Sequence, residues 1–341
     1  MKREFQVFIF LTFLTAGYYI LNSIALGFLG AGFMSIPFTI LLPLSVMLER
    51  ARPSWPSRAT YIISMIWLVF LIYILTGYVV LFVLSFDGVI WVKMILVVSA
   101  ALLVVYGVVN AMNLRVRVLE VPLGVSDRVR FVHLSDLHIG TVRSGGFLRR
   151  VARAVNELEP DAVLITGDLI DGSRPVDSSI LSELDVNAPV FFVSGNHDTY
   201  AGDFRSIISD TGIRCIDQSV VEFRGVQIAG VGYSMARHSL PALLDALDFD
   251  PEEPLVLLHH LPVDWEYARE RGVDLQLSGH THGGQFYPFN LLVGLMFPHL
   301  SGLYRDSAGF LFVSEGTGTW GPPVRIGSSC EVAVLDIVPM D

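Results

Sequence analysis

The stretch that decides the fold is Val129–His138, which reads VRFVHLSDLH. Its apolar run has the length of a buried strand and leads into Ser135, Asp136 and His138. Four later runs have the same form: Ala162–Thr166 before Gly167-Asp168, Val190–Val193 before Gly195-Asn196-His197-Asp198, Leu255–Leu258 before His259-His260, and Leu275–Leu277 before Gly279-His280-Thr281-His282.

A helical pattern separates the first two of these runs. Apolar residues recur there at helical spacing, at Phe147, Leu148, Val151, Val155 and Leu158. Strand, helix and strand in succession predict an α/β domain. The polar groups then fall at the carboxyl ends of strands, where α/β folds assemble their sites.

Two of the polar groups contain ligand types at a spacing of two residues. Asp136 and His138 point the same way if the chain is extended, and the same holds for His280 and His282. Each pair can therefore reach one metal centre.

Together the five clusters supply candidate metal ligands that are all oxygen or nitrogen donors. One ion takes about four to six ligands, so the seven candidate ligands predict two ions with one carboxylate shared. Imidazole mixed with carboxylate suits Mn, Fe, Zn or Ni. Each motif alone is also typical of an ordinary turn, and only their joint occurrence favours a metal site. The candidates are Asp136, His138, Asp168, Asn196, one of His259 and His260, His280 and His282.

This series of motifs resembles the calcineurin-like metallophosphoesterase superfamily, over roughly residues 125–340. The extension Gly283-Gly284-Gln285 is similar to a branch with membrane-associated phosphohydrolases and some UDP-2,3-diacylglucosamine diphosphatases. The resemblance implies a fold of two mixed β-sheets flanked by helices. One departure is Glu315, in a stretch where that branch commonly has an arginine, so substrate contacts there do not carry over.

The resemblance also implies roles for individual residues. His260 is preferred to His259 as the ligand because it stands two residues before Pro262. His197 takes the position of a proton donor, with Asp198 beside it, and both are expected to be catalytic. The implied ligands are Asp136, His138, Asp168 and His282 for one metal, and Asp168, Asn196, His260 and His280 for the other, with Asp168 bridging.

The amino-terminal third has a different composition. No charged residue occurs from Phe5 to Leu48, a length of two membrane crossings at about 20 residues each, with a turn in Gly27–Gly32. Tyr61–Phe86 and Gly88–Asn110 provide two more apolar spans. A cleaved signal peptide is the alternative for the first 25 residues, but its apolar core would be shorter. We therefore expect an anchor of about four helices in residues 1–120 and a catalytic domain in residues 121–341.

The distribution of charge indicates sidedness and excludes one class of partner. With four spans, the catalytic domain would face the cytoplasm, because basic residues flanking spans favour that side. Residues 121–341 contain 15 Lys and Arg against 29 Asp and Glu, and no lysine, which argues against nucleic-acid binding. The flanking basic residues on the predicted inner side are Lys2, Arg3, Arg50, Arg52, Arg58, Arg115 and Arg117, with Lys93 alone on the other.

One apolar segment near the last ligands is open to two interpretations. Residues Phe286–Leu300 contain two prolines and are too short to span a bilayer. The segment is expected to form core; the alternative is an apolar lip at the site that meets a membrane or an acyl chain.

These observations lead to a membrane-anchored two-metal phosphohydrolase as the main hypothesis. It would cleave a phosphoester or pyrophosphate bond of a phosphorylated small-molecule or lipid-linked substrate, using water activated by the metals. A tethered cyclic-nucleotide or generic phosphodiesterase is the enzymatic alternative. A membrane scaffold or sensor with a closed, structural metal site is the alternative from another class.

Overall fold

The computed structural model describes residues 2–86, 88–236, 239–306 and 309–340, with only the backbone described for residues 2–11 and 13. The chain forms two compact units. One contains Met1–Val109 with Gly321–Val324, and the other contains Asn110–Trp320 with Arg325–Asp341.

The first unit is helical. Helices over residues 32–51, 55–83 and 90–111 are long and apolar enough to cross a membrane, while 14–28 of the first helix forms a shorter apolar stretch. The predicted number of about four spans is therefore approximate, with three that meet the length of a crossing among the residues that the structure describes. The helices are α1 (Lys2–Phe28), α2 (Ser35–Ala51), α3 (Trp55–Val83) and α4 (Ile90–Ala111).

Local chemistry fixes two features of these helices. Ser54 caps the start of α3 in a reciprocal arrangement with Ser57, which satisfies otherwise unpaired amide groups. Buried Asn22 accepts a hydrogen bond from the Trp67 indole at 2.9 Å, so it joins two helices. This supports a packing role for Asn22.

The second unit contains two six-stranded mixed sheets, as predicted. In the first sheet the strands lie in the order β1-β12-β2-β3-β4-β5, and only the β12–β2 pair is antiparallel. Strands β2, β3 and β4 of this sheet were predicted from the sequence, whereas β1, β5 and β12 were not. The strands are β1 (Leu114–Pro122), β2 (Val129–Leu134), β3 (Ala162–Thr166), β4 (Val190–Val193), β5 (Ile213–Cys215) and β12 (Cys330–Val338).

The second sheet has the order β10-β11-β9-β8-β7-β6. Its central strands β11, β9, β8 and β7 are parallel, and an antiparallel strand closes each edge. The strands are β6 (Ser219–Phe223), β7 (Val226–Val231), β8 (Leu255–His259), β9 (Leu275–Ser278), β10 (Gly302–Arg305) and β11 (Phe310–Val313).

The sheets pack face to face and helices cover their outer faces. Phe131 and Leu164 of the first sheet share a core with Leu258 and Leu277 of the second. Helix α5 packs on the outside of the first sheet, while α9 and α10 pack on the second. The helices of this unit are α5 (Gly145–Glu157), α6 (Ser178–Leu181), α7 (Asn196–Tyr200), α8 (Phe204–Ile208), α9 (Ser239–Asp245), α10 (Trp265–Glu270) and α11 (Phe289–Met296).

This layering places five strand ends together. The loops after β2, β3 and β4 leave the first sheet, and those after β8 and β9 leave the second. All the candidate ligands lie in these loops or at their strand ends.

Candidate metal centre

Most candidate ligands sit on left-handed backbone directly after their strands. Positive φ is uncommon for residues other than glycine and is concentrated at functional sites. The chain therefore turns sharply here, so the expectation that each pair lies on extended backbone is wrong. The residues and their φ values are Asp136 (54°), His138 (48°), Asp168 (53°), His280 (70°) and His282 (53°).

The first cluster contains Asp136, His138 and His282, all buried. Their facing ligand atoms lie within 4.8 Å of one another. The two Nε2 atoms of the histidines are 3.1 Å apart, and Asp136 Oδ1 lies 3.3 Å from His282 Nε2 and 3.8 Å from His138 Nε2.

The second cluster contains Asp168, His260 and His280 within the same limit. His260 Nε2 lies 3.3 Å from Asp168 Oδ2 and 3.1 Å from His280 Nδ1. Asn196 contributes its amide oxygen, which lies 3.2 Å from His260 Nε2. The second set therefore has four candidate donors.

Asp168 connects the two clusters. Its Oδ2 atom lies 3.7 Å from His138 Nε2 in the first cluster and 3.3 Å from His260 Nε2 in the second. Its other oxygen accepts a hydrogen bond from the His197 amide at 2.8 Å. One carboxylate oxygen therefore faces both candidate metal positions.

Two expectations from the sequence are resolved by this arrangement. Extended backbone would let His280 and His282 reach one centre as a pair, but they lie in different clusters because the chain turns between them. His259 lies outside both described clusters, and its Nδ1 donates to the Val231 carbonyl at 3.1 Å. His260 is the member of the pair that faces Asp168.

The donor chemistry fits two divalent cations. Two imidazole nitrogens 3.1 Å apart repel through their lone pairs unless a proton or a cation lies between them, and this occurs in both clusters. The donors are carboxylate, amide oxygen and imidazole, with no thiolate among the described clusters, which suits Mn, Fe, Zn or Ni.

Burial and mutual contacts shift the acidities within the centre. Burial favours the neutral carboxyl of Asp136, yet the facing imidazoles hold the pKa of this group well below its usual range. Burial lowers the pKa of His138, but the carboxylates of Asp136 and Asp171 overcome it and raise the pKa to about 10. The pKa of His260 is raised to about 9 in the same way, chiefly by Asp168.

We predict that metal loading releases protons. The metal-free centre holds protons on His138 and His260 at pH 7, because their pKa values are about 10 and about 9. A metal needs the Nε2 lone pairs, so loading should release about two protons and the affinity should rise with pH up to about 10. Calorimetric titration with Mn²⁺ in buffers of different ionisation enthalpy measures this number, and a signal independent of the buffer would contradict it.

Asp171 stands behind one ligand. Its Oδ1 lies 3.5 Å from His138 Nδ1, on the side of the ring opposite the cluster. A carboxylate in this position fixes the tautomer and orientation of a metal-binding histidine. The sequence left two roles open for Asp171, a brace for the loop after Asp168 and a role behind a metal ligand.

We expect Asp171→Asn to weaken metal binding without emptying the centre. Loss of such an outer carboxylate lowers metal affinity by about 10- to 100-fold. Competition with a chromogenic chelator gives the affinity, and Asp210→Asn, an exposed acid on the same unit, is the matched control. Equal affinities in the two variants would show that Asp171 does not orient His138.

Asp198 braces the loops that hold the bridging residue. Its carboxylate accepts hydrogen bonds from the amides of Asp168, Ile170 and Gly195 at 2.8 to 2.9 Å. Burial and the nearby Asp168 charge raise the pKa of Asp198 to about 7. Gly195 is required by close approach, because a Cβ atom there would lie 2.5 Å from the Asp168 nitrogen.

His197 is half-buried at the edge of the centre. Its Nδ1 lies 3.0 Å from the Asp171 carbonyl and must donate to it, which leaves Nε2 to accept or donate a proton. The ring packs edge-on against His138, with centroids 4.9 Å apart. The His197 ring thus lies beside the first cluster.

Sequence reasoning missed Arg325, which is completely buried. Its guanidinium donates to the carbonyls of His282 and Gly318, both at 2.7 Å, and contacts His282 Nδ1 at 3.2 Å. It thereby holds a ligand and the neighbouring glycine-rich loop. A lone arginine between Val324 and Ile326 gives no signal of this role in the sequence.

Two other residues near the centre, His133 and Glu315, lie away from the ligand atoms. His133 is buried in β2, with Nε2 2.7 Å from the Thr166 hydroxyl. Glu315 accepts hydrogen bonds from the amide and hydroxyl of Ser329 at 2.8 and 2.7 Å. Both therefore support the fold around the centre.

Comparisons with known proteins agree with this geometry. The family model for the calcineurin-like phosphoesterase matches residues 129–284. An uncharacterised metallophosphoesterase of Aquifex aeolicus is 32% identical over 61% of the chain and 85% of that protein. A transmembrane protein with a metallophosphoesterase domain from Danio rerio is 33% identical over 69% of the chain and 60% of that protein. The UDP-2,3-diacylglucosamine pyrophosphatase LpxG of Chlamydia muridarum is 26% identical over 61% and 83%.

The chain covers different shares of the length of these relatives. The chain spans 60 to 65% of the length of the first curated relatives it matches. The Aquifex aeolicus protein, by contrast, is covered over most of its length at 32% identity. On that similarity, the family match and the clustered ligands, the chain belongs to the calcineurin-like phosphoesterase family.

Proposed function

We propose that the protein is a membrane-anchored phosphohydrolase that uses two divalent metal ions to cleave a phosphoester or pyrophosphate bond. The observation that carries the proposal is the shared Oδ2 of Asp168, which faces His138 at 3.7 Å and His260 at 3.3 Å. A shared carboxylate is what two closely spaced ions require.

When bound, two such ions would neutralise the phosphate charge and lower the pKa of an attacking water. The residues of the chain hold this arrangement together. Asp136, His138, Asp168 and His282 would bind one ion, and Asp168, Asn196, His260 and His280 the other. Asn196 is neutral, which limits the negative charge that would repel a phosphate.

His197 would supply the proton that the leaving oxygen needs. Its Nδ1–H is committed to the Asp171 carbonyl, so a proton is exchanged with substrate only through Nε2. Asp198 was expected beside it as a catalytic residue. Because both Asp198 oxygens accept backbone amides, we assign it as a positioning residue that acts through the Asp168 loop.

We further propose a lipid-linked substrate and a cytoplasmic site. The support for the substrate is the set of membrane-length helices, together with the similarity to a pyrophosphatase named for a diacylated sugar nucleotide. The support for the sidedness is the excess of basic residues on one set of predicted flanks.

The first experiment measures hydrolysis of bis-p-nitrophenyl phosphate by the full chain in detergent, with added Mn²⁺ and with a chelator as control. Detergent-dispersed lipid phosphoesters and soluble cyclic nucleotides are then compared as substrates. Faster turnover of the lipid substrates is expected, whereas a preference for the nucleotides would favour a tethered phosphodiesterase.

A structural role for the metals predicts a different result. Two bound metal ions in a protein that hydrolyses none of these substrates would overturn the proposal and favour a scaffold or sensor. The half-exposed His197 beside the centre is the feature that a closed structural site would not need.

A further inference from the structure

Helix α11 presents a large apolar surface to solvent. All eight of its residues are described, and none of them is buried. The interpretation of Phe286–Leu300 as core is therefore wrong for this helix. The most exposed side chains of the segment are Tyr287 (53%), Leu291 (57%), Leu292 (58%), Leu295 (84%) and Met296 (74%).

These side chains form one continuous face. Leu291, Leu292, Leu295 and Met296 have the spacing i, i+1, i+4 and i+5, which places them on the same side of a helix. Single exposed leucines are ordinary, but a contiguous apolar patch marks an interaction surface. Covering such side chains is favourable, because it removes apolar surface from water.

The face lies next to the metal centre. The Phe297 ring, at the end of α11, packs edge-on against the ligand His280, with centroids 5.2 Å apart. On the other side, the Trp320 ring lies 6.1 Å from that of His197 and is 48% exposed.

The Gln285 side chain connects the segment before α11 to Trp320 through two hydrogen bonds to the Trp320 backbone. The Gln285 side-chain amide donates to the Trp320 carbonyl at 2.9 Å, and its oxygen accepts from the Trp320 amide at 2.8 Å. We call the exposed set Tyr287, Leu291, Leu292, Leu295, Met296 and Trp320 the apolar rim.

The chain itself indicates what covers this rim. In the described part of the chain three helices have membrane-spanning length, and only residues 112 and 113 separate the last of them from β1. A connection of two residues extends about 7 Å, so a bilayer is always within reach of the unit that carries the rim. The segment from Phe286 to Leu300 contains no charged residue, and Trp and Tyr are enriched where proteins meet the membrane–water interface.

We propose that the apolar rim inserts into the interfacial layer of the phospholipid bilayer in which the chain is anchored, and so holds the metal centre at the headgroup level. The proposal rests on membrane anchoring and does not depend on hydrolysis. The bilayer itself covers the rim. The exposed face of α11 is therefore covered whether or not a substrate is bound.

The test uses the full chain reconstituted in phosphatidylcholine vesicles. A polarity-sensitive fluorophore is attached at Leu295→Cys in a Cys215→Ser background, since Cys330 is completely buried and should not react. The unsubstituted Cys215→Ser protein measures background labelling. Met296→Cys is the second position, and Glu252→Cys, an exposed polar site on the same unit, is the matched control.

We expect spin-labelled lipid to quench the probes at 295 and 296, and iodide to quench them about threefold less than the probe at 252, as for an interfacial helix. Equal iodide access at 295, 296 and 252 in vesicles would overturn the proposal. Protection that requires a high protein-to-lipid ratio and occurs without lipid quenching would also overturn it, because a second copy of the chain would then cover the rim.

Discussion

Asp168→Asn should abolish hydrolysis and empty at least one metal position. An asparagine offers a single carbonyl oxygen and no charge, whereas Asp168 uses one oxygen for both clusters and the other for the His197 amide. If the new NH₂ group faces the clusters, it points hydrogens at the metals; if it faces His197, it opposes that amide. Both orientations remove a required contact.

The expected loss in kcat is about a thousandfold or more, because charge stabilisation by the metals contributes several kcal/mol. A thousandfold loss corresponds to about 4 kcal/mol in the activation free energy. Metal content by elemental analysis should fall in parallel. Asp210→Asn, which removes an exposed carboxylate, should change neither quantity. Retained turnover in an Asp168→Asn protein with an intact fold would refute the proposed two-metal mechanism.

The elements that the sequence predicts well are those with a local cause. Buried parallel strands are largely apolar runs that end where the chain turns, so Val129–Leu134, Ala162–Thr166 and Val190–Val193 have the same bounds as predicted. Strand β1 was not predicted, because its burial alternates and its charged residues interrupt the apolar pattern. Its position depends on pairing with β12, which lies more than 200 residues later in the chain.

The ligand set could be predicted, but its geometry could not. Residue types at strand ends identify Asp136 and His138, while the left-handed turns that aim them depend on contacts from distant loops. The Asp136 amide, for example, donates to the Gly167 carbonyl, and the His138 amide donates to that of Asp168. Tertiary hydrogen bonds therefore decide which side chain joins which cluster.

The role of Arg325 is not visible in the sequence, for the same reason. The groups that hold its guanidinium include the main-chain carbonyls of His282, Gly316 and Gly318, and a carbonyl carries no residue-specific signal. For helix α11 the sequence-based prediction was wrong in the opposite direction, because it assigned burial to an exposed helix. Its apolar composition looked like core, and only the structure shows that the face is exposed.

His197→Asn should slow hydrolysis according to how much the leaving group needs a proton. Nδ1 of His197 is held by the Asp171 carbonyl, so Nε2 is the nitrogen that can protonate a departing oxygen. An alkyl phosphate ester expels a strongly basic alkoxide, whose departure depends on this proton, whereas p-nitrophenolate leaves readily without it. General acid catalysis contributes about 10²- to 10⁴-fold.

We therefore expect kcat to fall at least about a hundredfold for alkyl esters and less than about tenfold for p-nitrophenyl esters. Comparing kcat for the two ester types in one metal-loaded preparation makes the test independent of protein yield. Tyr200→Phe is the matched control, because Tyr200 packs edge-on against His197 with ring centroids 5.8 Å apart, and the substitution keeps that ring. An equal loss on both esters would mean that His197 positions the substrate or the loop, because a proton donor must discriminate between leaving groups.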